Sequence, residues 1–352
     1  MTPSSRVPSV AVIVPNWNDS KYLRRCITSI LEQEVPPDEL ILVDDKSTDD
    51  SVAVMRSLIA NTDRAKLIEN PVNLGVYGAV DEGLKHCRSE YILFLSANDF
   101  VLPGIFARAK ACIANNPGVG IWSAMGWHVD EAGLPIRVHP APVISWRDAC
   151  FTPQQCVQLA WRYGNWFTGT TLIYRREALD AMGGFDPANK GLADLIAALT
   201  IASRQGAAYS PVPYAVVRLH ENSYISGTWG NEALIESILD RLREHGPVLG
   251  PDLFTRAFLD RIALRFRGAT VRVTRGKSIA DVAGRYTGWR RLALVWIDRM
   301  VPARLWQVRV ALAFMVLRPF DIVPMVWARI AGRMIVALRS RHSGRDLRNA
   351  SR

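Results

Sequence analysis

Val10-Ala-Val-Ile-Val-Pro-Asn-Trp-Asn18 and its echo Glu39-Leu-Ile-Leu-Val-Asp-Asp-Lys-Ser-Thr-Asp49 decide the fold of this chain. Each is a short apolar, largely β-branched run that stops abruptly at polar residues. That is the pattern of a parallel strand buried on both faces, delivering its C-terminal end to a site. Between the two runs Tyr22, Leu23, Ile27, Ile30 and Leu31 recur at helical spacing, with Asp19 placed as N-cap and Pro36-Pro37 ending the helix. The three pieces make a β-α-β unit, and an α/β fold with a Rossmann-like, mostly parallel sheet flanked by helices is expected. Ligands of such sheets bind beyond the carboxyl ends of the strands, so Asn18, Asp44 and Asp45 should border a pocket. Two acids that end a strand also serve, in many proteins, only to cap a helix or line a solvated loop.

The pattern repeats downstream. Asp49-Asp-Ser51 opens a helix carrying Val52, Met55, Leu58 and Ile59, Lys66-Leu-Ile-Glu69 is a short strand, and Tyr91-Ile-Leu-Phe-Leu95 is another. Between these strands Asn73-Leu-Gly75 turns into a helix. A glycine there leaves backbone N–H groups open to an anion such as a diphosphate, although the same residues also make a plain turn. A helix over 104–116 and a strand over 118–124 follow. From 125 to 145 periodicity fades, and Ala132-Gly133 with Pro135, Pro140 and Pro142 indicates a loop or hairpin. Thr152-Pro153 starts a helix reaching Tyr163, and Trp146, Trp161 and Trp166 gather around it as candidates for stacking on sugar rings or for core packing.

With 352 residues, 49% of them hydrophobic and 22% charged, the chain can bury one large or two modest cores, and disorder is excluded. Its five cysteines, Cys26, Cys87, Cys112, Cys150 and Cys156, show no Cys-x-x-Cys spacing, which argues against a zinc ribbon or a disulfide framework. Residues 1–8 lack the basic-then-apolar pattern of a signal peptide. A cytoplasmic setting is expected.

The residues also resemble a known family. Pro15-Asn-Trp-Asn18, Ser29-Ile-Leu-Glu-Gln33 and Val43-Asp-Asp-Lys-Ser-Thr-Asp49 stand in the order and spacing of the opening of the family 2 inverting glycosyltransferases. The resemblance, which covers roughly residues 8–226, implies a GT-A fold, a nucleotide-sugar donor and a divalent cation, Mg2+ or Mn2+. It implies that Pro15, Asn18, Asp44 and Asp45 hold the nucleoside end of the donor, with Asn73, Gly75 and Asn98 also contacting it. In Ser96-Ala-Asn-Asp99 the family carries an Asp-x-Asp metal motif; here Ser96 and Asn98 replace the two carboxylates and Asp99 is left. A hard cation that bridges phosphates wants anionic oxygens, so a weaker protein-held metal is expected, with Asp99 as ligand. His220, in a segment similar to the family's Arg-x-His, is the candidate for a second ligand. Arg175-Arg-Glu-Ala-Leu-Asp-Ala-Met-Gly-Gly-Phe-Asp186 matches the stretch that precedes the family's catalytic base, which makes Asp194 that base. Inversion requires a carboxylate opposite the leaving nucleotide to take the acceptor's proton, and an apolar helix would raise its basicity. An acid at this position is also favourable simply as a helix cap.

Two regions are expected, a catalytic one over 1–230 and a basic helical one over 231–352. From residue 231 onward there are 23 Lys plus Arg against 10 Asp plus Glu, a net of +13, which leaves −3 for the first 230 residues. Helices are expected over 232–245 and 253–266, with a break at 246–251, and from Trp289 to Leu338 arginines alternate with large apolar residues. No uncharged stretch there reaches the ~18 residues a membrane-spanning helix needs. Such helices suit an anionic membrane surface or pack on the core, and a peripheral location on the cytoplasmic face follows from the first alternative. A nucleic-acid partner is not expected, since no recognised binding motif is present.

The leading expectation is transfer of a sugar from a nucleotide sugar to a hydroxyl of a saccharide or lipid-linked acceptor, in polysaccharide or glycolipid synthesis. The alternative is a nucleotide-sugar-binding scaffold that has lost catalysis along with its metal motif.

Overall fold

The computed structural model describes residues 6–138, 141–219, 228, 231–263, 283 and 288–317. Strands β1 (Val10–Asn16) and β2 (Glu39–Asp44) run parallel, joined by α1 (Ser20–Leu31). Helix α2 (Ser51–Ile59), β3 (Ala65–Glu69), α3 (Gly75–His86), β4 (Tyr91–Phe94), β5 (Phe100–Val101) and α4 (Ile105–Ala114) follow. Next come β6 (Ile121–Val129), β7 (Pro135–Val138), β8 (Ala149–Phe151), α5 (Pro153–Tyr163), β9 (Ile173–Arg175), α6 (Arg176–Asp180), α7 (Ala193–Gln205) and β10 (Ala207–Arg218). The sheet order is β3-β2-β1-β4-β9-β6-β10-β5, with β7 on β6 and β8 on β10.

Because β9 is antiparallel to both β4 and β6, while β6 is parallel to β10, six strands (β3, β2, β1, β4, β6 and β10) point one way. Their carboxyl ends share one edge of the sheet, and the polar residues after β1, β2 and β4 emerge there together with Arg218 at the end of β10. The apolar runs have no alternation because both faces are covered. Val10, Val12 and Val14 pack with α1 residues Leu23, Cys26, Ile27 and Ile30 on one side. Ala11 and Ile13 pack with Ala79 of α3 on the other. Gly83 lets α3 approach this closely, since a Cβ there would lie 2.7 Å from Ile13 Cγ2.

Several expectations are corrected. Strand β6 runs past Ala124, its expected end, to Val129 and turns back as β7, which is the hairpin expected as one alternative for 125–145. Asp19 occupies the N-cap position of α1 without a capping bond from its side chain; the Ser20 N–H donates instead to Asp49 Oδ2 at 3.0 Å. Helix α5 starts as expected, closed by reciprocal bonds between Thr152 and Gln155.

In the C-terminal region α8 (Glu232–Leu249) continues through the expected break, past Gly246 and Pro247, and ends at Gly250. Gly246 is retained by packing, because a Cβ there would lie 2.7 Å from Phe254 Cβ. The next helix starts at 256 rather than 253. Ile235, Ile238, Leu239 and Leu242 of α8, with Leu253, Phe254, Phe258 and Leu259, join the same buried cluster as Trp166, Tyr174 and Leu199. One core therefore crosses the expected boundary at 230. Helices Gly288–Met300 and Trp306–Leu317 bury Leu294, Ile297 and Ala313 in a separate small cluster. Residues 318–338, part of the expected amphipathic segment, lie outside the described residues.

Candidate active site

The ends of β1 and β2 are tied together by side chains. Asn16 Nδ2 donates to Asp44 Oδ1 at 3.0 Å and to Ser47 Oγ at 3.1 Å, and the Ser47 N–H donates to Asp44 Oδ2 at 2.9 Å. Both Asp44 oxygens are thus spent inside the protein, and the residue is buried. Asp44 is a staple. Asp45 differs, since Asn70 Nδ2 and the Leu74 N–H both donate to Oδ1, at 2.9 and 2.8 Å. Among the described residues none donates to its Oδ2. Asn18 sits at φ 56, a left-handed conformation that asparagine tolerates, and its Oδ1 accepts the Thr48 N–H at 2.7 Å. Pro15 pairs in register with Val43 and brings Asn16 level with Asp44.

At the start of α3, Gly75 has φ +73, and its N–H is taken by Asn73 Oδ1 at 3.0 Å. The turn is real, but this amide is not open to an anion as expected; Asn73 fulfils a local role. Tyr77, in the first turn of α3, donates its hydroxyl to the Lys190 carbonyl.

The loop after β4 holds Ser96, Asn98 and Asp99. Asp99 is only 6% exposed. Its Oδ1 accepts the Arg218 N–H at 2.8 Å and its Oδ2 accepts the Thr170 hydroxyl at 3.1 Å. Burial pushes its carboxyl up to about 7, against the pull of these two hydrogen bonds. Arg218, the last residue of β10, donates Nε to the Asn98 carbonyl at 3.2 Å and Nη1 to the carbonyls of Asp130 and Glu131. Its guanidinium also lies over the Tyr22 ring, 4.8 Å from the centroid.

Asp194 is the second residue of α7. Its Oδ1 accepts the N–H of the next residue, Leu195, at 2.7 Å within the first turn. Its Oδ2 lies against Gly169, where a Cβ would come within 2.8 Å. Part of the residue reaches the surface, while burial of the carboxyl raises its pKa and the Leu195 bond opposes the rise. Gly169 and Thr170 belong to one short turn, so Asp194 and Asp99 flank the same two residues. On the other side Lys190 leads into α7 and holds Tyr77 of α3, whose N-cap Leu74 donates to Asp45. A chain of contacts thus links the surroundings of Asp45, Asp194 and Asp99.

Sequence reasoning missed Asn16, Gly169, Thr170 and Arg218. The first lies within the quoted Pro-Asn-Trp-Asn run and the last within the quoted Arg-x-His segment, but neither motif announces a staple or a clamp. Trp166 is 1% exposed and packs on Phe167, Phe151 and Tyr209, which removes it as a stacking platform. Trp161 stacks edge-on against Phe258, and Trp146 is exposed. His220 lies outside the described residues.

The residues around Asn98 do not fit a protein-held divalent cation. Such an ion requires an available carboxylate, whereas Asp99 has both oxygens engaged inside the protein and its neighbours Ser96 and Asn98 are neutral. Among the described residues no three His, Cys, Asp or Glu side chains are grouped to hold a metal.

A mostly parallel α/β sheet with acids from three separate strands and helices at one edge defines a GT-A-type protein, and comparison with known proteins agrees. A mannosyltransferase of Pyrobaculum calidifontis, solved in complex with GDP-Man and Mn2+, superposes with a TM-score of 0.54 at 19% identity, over 90% of this chain and 87% of that one. The model for glycosyl transferase family 2 matches residues 11–183. A Haemophilus influenzae protein described as an uncharacterized glycosyltransferase is 38% identical over 95 residues, 27% of this chain and 38% of the relative. Escherichia coli chondroitin synthase is 37% identical over 98 residues, 28% of this chain and 14% of that enzyme. Residues 11–183 are thus a glycosyl transferase family 2 segment. The matches span well under half the length of these two relatives.

Proposed function

We propose that this chain is an inverting glycosyltransferase that moves a sugar from a nucleotide-sugar donor to a hydroxyl of a saccharide or lipid-linked saccharide, in cell-surface polysaccharide or glycolipid synthesis. The observation that carries the reading is the meeting of Asp194 and Asp99 at the Gly169-Thr170 turn, beside the ends of β1, β2 and β4. Asp45 and Asn18 hold the nucleoside end of the donor. Asp194 Oδ2 takes the proton of the acceptor hydroxyl as its oxygen attacks the anomeric carbon, and the nucleoside diphosphate leaves from the opposite face. Charge developing on the diphosphate requires positive groups or amides aimed at it. The names of the relatives support the substrate class, since one solved structure holds GDP-Man and one relative is a chondroitin synthase.

Catalysis takes place at the cytoplasmic face of an anionic membrane, where a lipid-linked acceptor would be met. In support, no described helix is long and apolar enough to span a bilayer, while Trp289, Leu292, Trp296 and Met300 are each at least 60% exposed on one face of their helix. Exposed Arg291 and Arg299 are on the same helix, in a region of net charge +13.

The test is sugar transfer by wild type and Asp194→Asn over a panel of nucleotide sugars. A loss of at least ~100-fold in kcat with donor binding retained is expected; equal turnover would remove Asp194 from the mechanism. The neutral Ser96 and Asn98 favour a second reading, a donor-binding protein without catalysis, which the same panel identifies by binding without turnover of any donor.

A further inference from the structure

Resting on the nucleotide-sugar reading, we propose that this chain grips its donor's diphosphate without a protein-held divalent cation, and that the guanidinium of Arg218, with Lys21 and Arg25 beside it, supplies the positive charge. Three observations carry this. The loop that would recruit a cation offers the neutral side chains of Ser96 and Asn98, and its one carboxylate, Asp99, is turned inward onto Thr170 and the Arg218 amide. The same loop is held by a cation, because Arg218 Nε bonds the Asn98 carbonyl.

That cation has no ion pair among the described residues, although the Asp99 carboxylate lies within its electrostatic range and offsets part of its charge. The acceptors of Arg218 are backbone carbonyls of Asn98, Asp130 and Glu131, and among the described residues no carboxylate pairs with it and no acceptor takes its Nη2. Two further cations crowd the corner. Lys21 lies 4.6 Å from the centroid of Tyr22, the ring that Arg218 also covers, and Arg25 lies 4.5 Å from that of Phe100, which follows Asp99 directly. Asp19, Glu32 and Glu131 lie within electrostatic range of Lys21 or Arg25 and temper this charge. A free divalent ion approaching the loop meets repulsion from Arg218, whereas a diphosphate meets attraction and the Nη2 donors, which no acceptor among the described residues takes.

The experiment is calorimetry of UDP and GDP binding to the full chain in EDTA and in Mn2+, with paramagnetic resonance of the Mn2+ as a second readout. For wild type, Kd of the tighter nucleotide is expected to change by less than about 3-fold between the two conditions, with little Mn2+ immobilised by the protein alone. Asn98→Asp restores a carboxylate and is expected to make binding at least ~10-fold tighter in Mn2+ than in EDTA. Arg218→Gln should weaken binding in EDTA at least ~10-fold, with Lys21→Gln plus Arg25→Gln as a second variant should the first fail to fold. Wild-type binding that requires Mn2+ would overturn the inference and leave the nucleotide-sugar reading intact. Absence of UDP and GDP binding in both conditions would overturn both.

Discussion

Gly169 shows how tightly the reacting corner is drawn. Its missing side chain is the space into which Asp194 Oδ2 fits, so Gly169→Ala must push the carboxylate aside. A drop of roughly 10- to 100-fold in kcat with little change in donor KM is expected, since a displacement of about 1 Å is enough for such a loss. Steady-state kinetics at saturating donor measure it. Burial raises the Asp194 pKa, and a base works only when deprotonated, so the rate should climb with pH through a value above the ordinary carboxylate range. A flat pH–rate profile from pH 4 to 8 would contradict this. Asp99 offers a separate check on stability. Its carboxyl titrates at about 7 in the folded chain and near 4 when unfolded, so the folded form holds more protons in between. Its stabilising contribution is then complete below about pH 4 and falls as pH rises through about 7. Melting temperatures of wild type and Asp99→Asn, measured from pH 4 to 8, should diverge in that direction. The placement of Asp45 just after β2 and of Asp194 just inside an apolar helix was legible in the sequence. The inward turn of Asp99 was not, because it depends on Thr170 and Arg218, which lie 71 and 119 positions away in the chain.

Among the elements, α3 is the most constrained. Gly83→Ala would bring a Cβ within 2.7 Å of Ile13 and 3.2 Å of Val43, and should destabilise by about 1–3 kcal/mol, read from denaturant midpoints. The helix Gly288–Met300 is bound differently. It buries Leu294 and Ile297 and leaves Trp289 and Trp296 exposed, so Trp289→Ser with Trp296→Ser should preserve the fold while abolishing co-sedimentation with anionic vesicles. Unchanged sedimentation would end the membrane assignment. Strands β1 to β4 and helices α1 to α5 were readable because their apolar periods are clean. The second half of β6 was not, since Gly126 and His128 interrupt the pattern and its pairing with β10 comes from a strand more than 80 residues later. Helix α8 exceeded expectation for a similar reason, as Gly246 and Pro247 read locally as a stop, and the close approach of Phe254 to Gly246 is made only in the folded chain.

Across the whole molecule, charge and core divide the chain in different places. The basic excess begins after residue 230, but the core of the first 230 residues continues through α8 and the helix over 256–263. A ligand that binds only the folded state adds stability in proportion to the logarithm of its concentration over Kd, so a donor at 100 times Kd should contribute about 2.7 kcal/mol. A thermal shift with one nucleotide sugar that is absent with the others would identify the donor. One feature ties the two substrates together. Lys190 is held at φ 47 and ψ −134, a conformation that side chains avoid, and its carbonyl is pinned by the hydroxyl of Tyr77. The latch joins the helix beside Asp45 to the segment that carries Asp194, so on the proposed mechanism releasing it with Tyr77→Phe should let Asp194 drift even when the donor is seated. A fall in kcat with donor KM unchanged is the expected reading, as when a cocked trigger loses its sear.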